Sequence, residues 1–593
     1  MAKKRYEIRV TLETPEGEVI SEQEVRNIMT LLESDDQANQ KLGYTFMKSM
    51  LTKFPAGTYK LYFDGRQKES IFKLLLKTRL HTLEIVSQPK FLPFPKSFAE
   101  MKSLKGFVFR RMRVTALPTE IYAFTDLETL DISDNHWDSG ERYYPSEYRP
   151  KLDERLTKFS KLKKLDLSGN KYTPDELPKG MEKLSQLEFM GLSSNRLKQI
   201  PKFVFQYARL KTLLMADAWL SVGEHPKVYR QMAQLVQLDQ LEHLDFSTNY
   251  NGITKIPIRW GELKQLKCLK LNNNNIEQLP EEICALPNLE EIYLANNLIQ
   301  SLPEKFCDLP LRNESLDLNN NRLQSLPKKI GNFGHLKEMN LYGNQLMALP
   351  ESIGDLTELE HLKIANNRIE KLPASFKNLK QLGIKVDLSN NNLKVFPEEL
   401  FALPHIIELD LANNNIPNIP ANIKALQNLR ILKMYNNGFE DIHKNIGLLQ
   451  TLEQLQLSGN RLVQVPESIC DLKNLRILNL HNNQIKALPK NFGKLARLAP
   501  QLKLSKNHLE DLPESFFELD HLTSIDLSEN LFQTLPNQWG KMTKLRELRL
   551  NRNQLKVLPD SVGQLKSLTK LWVQENELDA LPETMNCDTL MRL

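Results

Sequence analysis

Residues 359–381 read LEHLKIANNRIEKLPASFKNLKQ. Leu362 and Ile364 alternate with polar neighbours, so both side chains leave a short strand on the same side. Just upstream, Ile353, Leu356 and Leu359 fall three apart, as do Ile283, Leu286 and Leu289 after an earlier Leu-Pro step. That spacing predicts a single helical or 3-10 turn with one buried face. A 23-residue piece of this kind cannot bury its leucines alone. Copies stacked side by side share a continuous core, and their strands join in a parallel sheet.

The copies are present. Aligned on Asn367, the frame recurs at Asn274, Asn297, Asn321, Asn344, Asn391, Asn414, Asn437, Asn460, Asn483, Asn507, Asn530, Asn553 and Asn576, 302 residues in 13 steps. Upstream it continues less regularly at Asn249, Asn195, Asn170 and Asn135, with Ala218, Met112 and Gln88 at the asparagine position, and once more around Tyr59–Arg66. About 21 or 22 turns therefore cover residues 59–582. Each asparagine has a structural task. The chain turns inside the stack there, and an amide side chain supplies both a donor and an acceptor to backbone groups shielded from water. The prolines after leucine (Pro280, Pro303, Pro350, Pro466, Pro559) fix φ where the chain starts back along the far side.

Length alone, 593 residues, suggests about four ordinary domains, and the repeat replaces them with one elongated one. With 41% hydrophobic and 26% charged residues, the chain is neither disordered nor collagen-like. A net charge of +6 is too small for this length to require nucleic acid or an anionic membrane as partner. No apolar run approaches the roughly 18 residues of a membrane span, and MAKKRYEIRVTLET has no apolar core of a signal peptide. Five cysteines, Cys268, Cys284, Cys307, Cys470 and Cys587, are odd in number and form no close pair. They fit a reducing compartment, and the expected location is cytoplasmic.

The unit LxxLxLxxNxLxxLPxxIxxLxx resembles the leucine-rich repeat of the 23-residue intracellular class, found in Ras-group-related proteins, a Ras–Raf scaffold protein and many bacterial proteins. The resemblance covers nearly nine-tenths of the chain. It implies an α/β solenoid: a leucine-rich-repeat horseshoe with a parallel concave β-sheet, short convex helices or 3-10 turns, and a small α+β N-terminal cap. The implied domains are residues 1–54 as cap, 55–582 as solenoid and 583–593 as a short C-terminal cap. The family shares a scaffold and not a reaction, and its members mostly bind proteins.

Outside the repeat, Tyr6, Ile8, Val10 and Leu12 alternate as a strand. Ser21 and Glu24 form a capping-box pattern ahead of a helix, and Asp35 or Asp36 caps a second one carrying Leu42, Phe46 and Met50. This segment is expected to cover the first sheet edge. The C-terminal cap is thin, with Met585, Leu590 and Leu593 its apolar cover, so the chain is a monomer or an end-to-end homodimer through that edge. Two insertions, near 138–149 and 222–229, leave from one end of their strands and are expected to project from one rim. They concentrate Trp137, Arg142, Tyr143, Tyr144, Tyr148, Trp219 and Tyr229, residue types that anchor interfaces.

The concave face is read from the positions beside each apolar pair. It offers Tyr293, Tyr342, Lys363, Tyr435, His481, Lys503, Arg549 and Trp572 within a series of mixed charge. A nucleic-acid groove would carry one sign over a long stretch. The mixed, aromatic-dotted surface suits a protein partner, with no nucleic acid. No phosphate loop GxxxxGK[ST], zinc helix HExxH or nucleophile elbow GxSxG occurs, and histidines scatter without pairing, so no enzyme, cofactor or metal is expected. Cys587-Asp588 resembles the cysteine of bacterial leucine-rich-repeat ubiquitin ligases, without a counterpart of their catalytic domain. The reading is a non-enzymatic protein-interaction scaffold. A regulator of small-GTPase signalling is implied by family analogy. An exported receptor or adhesin ectodomain would bring a signal peptide and cysteine-bridged caps.

Overall fold

A computed structural model describes residues 151–585 apart from 224, 225 and 251, and upstream of 136 the segments 10–11, 27–28, 30–31, 34, 36–52, 58–63, 82–87, 96–100, 104–110 and 116–135. The chain forms two compact units, Met1–Leu298 with Leu309–Leu311, and Ile299–Asp308 with Arg312–Leu593. In the first, Val10–Thr11 pairs antiparallel with Thr58–Phe63, and every later strand joins in parallel, from Thr82–Ser87 and Gly106–Arg110 to Glu291–Tyr293. The antiparallel strand closes the first edge, as read from the alternation at Val10. Asp36 caps the helix Gln37–Thr52 by accepting from the Ala38 N–H at 2.8 Å; its Leu42 and Phe46 are exposed. The second unit carries a parallel sheet running from Ser315–Asp317 to Lys570–Trp572. Among the described residues no helix is long and apolar enough to cross a membrane.

One unit shows the construction. The strand His361–Lys363 buries Leu362, and Ile364 follows it into the core. Pro373, at φ −72°, then leads into the 3-10 turn Ala374–Asn378, which buries Phe376. Between them Asn367 is buried. Its Nδ2 donates to Leu341 O of the preceding unit at 2.9 Å and to its own Ile364 O at 3.1 Å, while its Oδ1 accepts from Leu346 N–H at 3.0 Å. The pattern repeats at Asn344, Asn414, Asn483 and Asn530.

The residue before each ladder asparagine has its own constraint, which the frame did not reveal. It sits in the left-handed region: Asn273, Asn296, Asn320, Asn366, Asn390, Asn413, Asn436 and Asn482 have φ between 49° and 59°, and glycine takes the place at 169, 343 and 459. Asparagine and glycine are the residues that enter this region at least cost. These outer asparagines also bond one another, Asn413 Nδ2 donating to Asn390 Oδ1 at 2.9 Å and Asn436 Nδ2 to Asn413 Oδ1 at 2.8 Å. The double asparagine therefore does two jobs, one inside and one at the surface.

Two steps within the second unit, Asn367 to Asn391 and Asn483 to Asn507, are 24 residues long instead of 23. In a regular step two successive N–H groups share one carbonyl of the unit before, as Glu360 and His361 do with Lys337 O. In the long steps a single bond remains, Gly383 N–H to Glu360 O and Ala499 N–H to Arg476 O, and Pro500 has no N–H to offer. Strand pairing shrinks to one register pair, Lys363 with Asp387 and Asn479 with Lys503. A third 24-residue step, Asn297 to Asn321, falls where one sheet ends and the other begins. The extra residue acts as a bulge in a parallel ladder.

The insertion near 222–229 does not project as a loop. It extends the far side into the helix Pro226–Gln234, whose Val228 and Met232, with the following Leu235, are wholly buried. The Gln231 amide brackets Ile200, donating to its carbonyl at 2.9 Å and accepting from its N–H at 3.2 Å. Apolar spacing of three and four packs this segment onto the neighbouring turns. The insertion near 138–149 and the end beyond Met585 lie outside the described residues; of the helix expected after Ser21, residues 27–28 and 30–31 are described and are helical.

Asn414→Ala strands Leu388 O, Leu411 O and Leu393 N–H, and is expected to lower stability by about 3 kcal/mol in urea denaturation. Thr248 is β-branched at φ 61°, so Thr248→Asn is expected to raise stability by about 1 kcal/mol in the same assay; a loss would refute the account of the outer position.

Candidate protein-binding face

On these strands the last residue, between the two buried apolar positions, lies on the face opposite the core, and the acidic ones are tied down locally. Asp245, Asp387 and Asp526 each accept the N–H and hydroxyl of the serine two residues on. The Asp-x-Ser pairing holds the strand end, so part of the negative series read from the sequence is structural. Most cations are engaged too. Lys363 meets Glu338 at 2.6 Å, Lys433 meets Glu408 at 2.7 Å, and Arg549 meets Glu547 at 2.8 Å while covering the Trp572 ring at 5.7 Å. Lys270 lies over Tyr293 at 5.4 Å, and the Tyr293 hydroxyl donates to Glu291 at 3.1 Å.

In the second unit the structure gathers five of the predicted residues into two hollows, and each hollow lies at a 24-residue step. Asn479, His481, Lys503, Ser505, Asp526 and Arg549 line a cavity of about 420 Å³. Tyr342 and Lys363 line another of about 560 Å³ with Asn340, His361, Lys385 and Asp387. Where the ladder is reduced to one register pair, the face dips between strands. Tyr435 lies in neither hollow.

The first unit has a separate hollow of about 270 Å³ lined by Lys198, Asp217, Trp219, Thr248 and Tyr250. Trp219 is 52% exposed and stacks with the Arg196 guanidinium at 5.2 Å; Tyr250 is 69% exposed. Tyr250 was not anticipated. The 25-residue step from Asn249 to Asn274, two longer than the rule, marks its loop. Tyr229, by contrast, is half-buried on the far-side helix, and Trp137, Arg142, Tyr143, Tyr144 and Tyr148 lie outside the described residues.

Electrostatics near the start of the first sheet are uneven. Burial works against the Asp131 charge, but its hydrogen bonds from the Arg110 guanidinium and Ser133 outweigh it and hold the carboxyl below its usual range. Its register neighbour Asp166 is pushed up, first by burial and also by the charge of Asp131. On the next strand Gly191 leaves room for it, since a Cβ there would come within 2.2 Å of Asp166 Oδ1. The described cysteines are buried, and burial pushes the thiols of Cys268 and Cys470 up to about 12.

Comparison with known proteins places this architecture. The leucine-rich-repeat family model matches residues 239–299, 264–311, 314–369, 385–439, 427–485, 450–500 and 501–555, about half of the chain. The chain belongs to the leucine-rich-repeat family. Among solved structures, a TDR receptor is 23% identical with a TM-score of 0.63, over 88% of this chain and 94% of its own. The Arabidopsis receptor kinase HAESA, solved with the peptide hormone IDA and the co-receptor SERK1, is 21% identical with a TM-score of 0.54, over 90% of this chain and 91% of its own. At these identities the likeness is one of fold. A Leptospira interrogans leucine-rich-repeat protein is 30% identical over 67% of this chain and 92% of its own, with a TM-score of 0.48.

Because its carboxyl is raised in the folded state, Asp166 costs stability once ionised, and that cost vanishes below the ordinary aspartate range near pH 3.9. Asp166→Asn keeps the acceptor for Ser168 N–H. It is expected to raise Tm at pH 7 and to leave it nearly unchanged at about pH 3. Equal shifts at both pH values would show that the charge is not the cause.

Proposed function

We propose that this chain is a non-enzymatic scaffold that binds a protein partner on its sheet face, with Trp219 and Tyr250 as a second contact in the first unit. The observation that carries the reading is the coincidence of three predicted surface residues, His481, Lys503 and Arg549, around one hollow. Repeats that bury their backbone groups in a ladder hold such a surface stiff, so binding loses little backbone entropy of this chain. Cations and aromatic rings set among locally satisfied carboxylates favour a folded or extended protein surface over a nucleic-acid backbone. Signalling within a cytoplasmic complex is the setting that five cysteines without a pairing pattern fit best. The domain reading goes with it: residues 1–54 cap a solenoid that runs to 582.

The test is affinity purification with mass spectrometry, followed by binding of the captured partner to variants of the full chain. Lys503→Glu with Arg549→Glu is expected to weaken it at least tenfold, by reversing two charges on the contact face. Deletion of residues 138–149 tests the rim separately. A partner whose affinity survives both changes would refute the proposed surface.

A further inference from the structure

The hollow around Lys503 differs from the rest of the second unit's face in its charge state. Lys363, Lys433 and Arg549 each hold a carboxylate, whereas Lys503 has no ion-pair partner among the described residues. Its register neighbours are Asn479 and Asp526. Asp526 already accepts three hydrogen bonds. Its Oδ1 accepts from the Ser528 N–H at 3.1 Å and hydroxyl at 2.6 Å, and its Oδ2 accepts from the Ser505 hydroxyl at 2.9 Å. Ser505 has one proton and spends it on Asp526, so its oxygen accepts from His481 Nδ1 at 2.8 Å. This network ties the imidazole, the hydroxyl and the carboxylate together as a fixed wall. Beside the neutral Asn479, Gln501 and Ser524, the Lys503 ammonium and the remaining N–H groups of Arg549 are the lysine and arginine donors that line the cavity.

We infer that this hollow takes the carboxylate of an aspartate or glutamate side chain presented by the protein partner, an inference that rests on the function proposed above. Lys503 and Arg549 stand two strands apart, about 9.6 Å at the backbone, which two long side chains can close around one carboxylate. Charge selects the ligand class. Asp526 and Glu547 share the lining, so the two cations face two anions. A monoanion bridging Lys503 and Arg549 is accommodated; a dianionic phosphate meets both carboxylates at close range and is disfavoured. The 24-residue step explains why the pocket lies here. With Ala499 N–H alone bonded back to Arg476, the strands at 479 and 503 pair at one register position, and the face opens between them.

The experiment is selection of random decapeptides displayed on phage against the full chain, followed by titration of the best synthetic peptide with glutamate, glutamine or phosphoserine at its consensus position. The expected result is an acidic consensus, with glutamate binding about tenfold tighter than glutamine. Lys503→Met should abolish that preference and Lys503→Arg should keep it, with unchanged Tm in both. Peptides that need Lys503 and Arg549 but show no acidic preference would overturn this inference and leave the binding face standing. Tighter binding of phosphoserine would overturn the carboxylate assignment, and so would a chain that retains no displayed peptide. Failure of the binding face itself is read elsewhere, in a natural partner indifferent to the double charge reversal.

Discussion

A parallel sheet built from three-residue strands must turn its chain inside the stack at every step, and backbone groups at that turn have no water to bond. The rest of the structure depends on how they are satisfied. Buried Asn414 gives its amide protons to carbonyls of two successive units, and its oxygen accepts from an N–H of the unit before. Apolar burial by residues such as Leu432 and Leu409 supplies the driving force, but it is non-directional. The amide ladder sets the spacing at which that burial occurs, and it explains why a side chain with both donor and acceptor recurs where leucine would pack as well.

The same turn decides what is left for function. One residue before the ladder the backbone has to adopt positive φ, which favours asparagine or glycine; where Lys506, Glu529, Arg552 and Glu575 occupy it, they alternate in sign and pair across turns. Two residues before it, serine ties down the aspartate of the strand. Much of the conspicuous polarity of this surface is therefore local scaffolding. The groups that these constraints do not use, such as Lys503 and Tyr342, form a smaller set, and the proposed function rests on them. A solenoid that meets its own polar needs repeat by repeat can vary the residues between them without disturbing its core.

Irregularity carries the information that regularity cannot. Each added residue ahead of a strand costs the parallel ladder register pairs, and the two hollows of the second unit lie at such steps. Loss of pairing there is tolerated because the core residues on either side, Leu362 and Val386, or Leu478 and Leu502, keep their places. The bulge thus opens the surface without opening the interior.

The sequence by itself determined the repeat, the strand and 3-10 positions and the role of the inner asparagines, because each follows from a spacing of two, three or 23 acting within one unit and its neighbour. A strand at Val10 and a cap at Asp35 or Asp36 were legible from local pattern as well, whereas the antiparallel pairing of that strand was not. Which surface residues meet was not. His481, Ser505 and Asp526 belong to three different units, and their network exists only because those units stack in one register. Whether the second insertion projects or packs depended likewise on Val228 and Met232 finding the neighbouring turns. Periodicity is a property of the chain; convergence of side chains from separate repeats, and the gaps where strands fail to pair, belong to the tertiary structure.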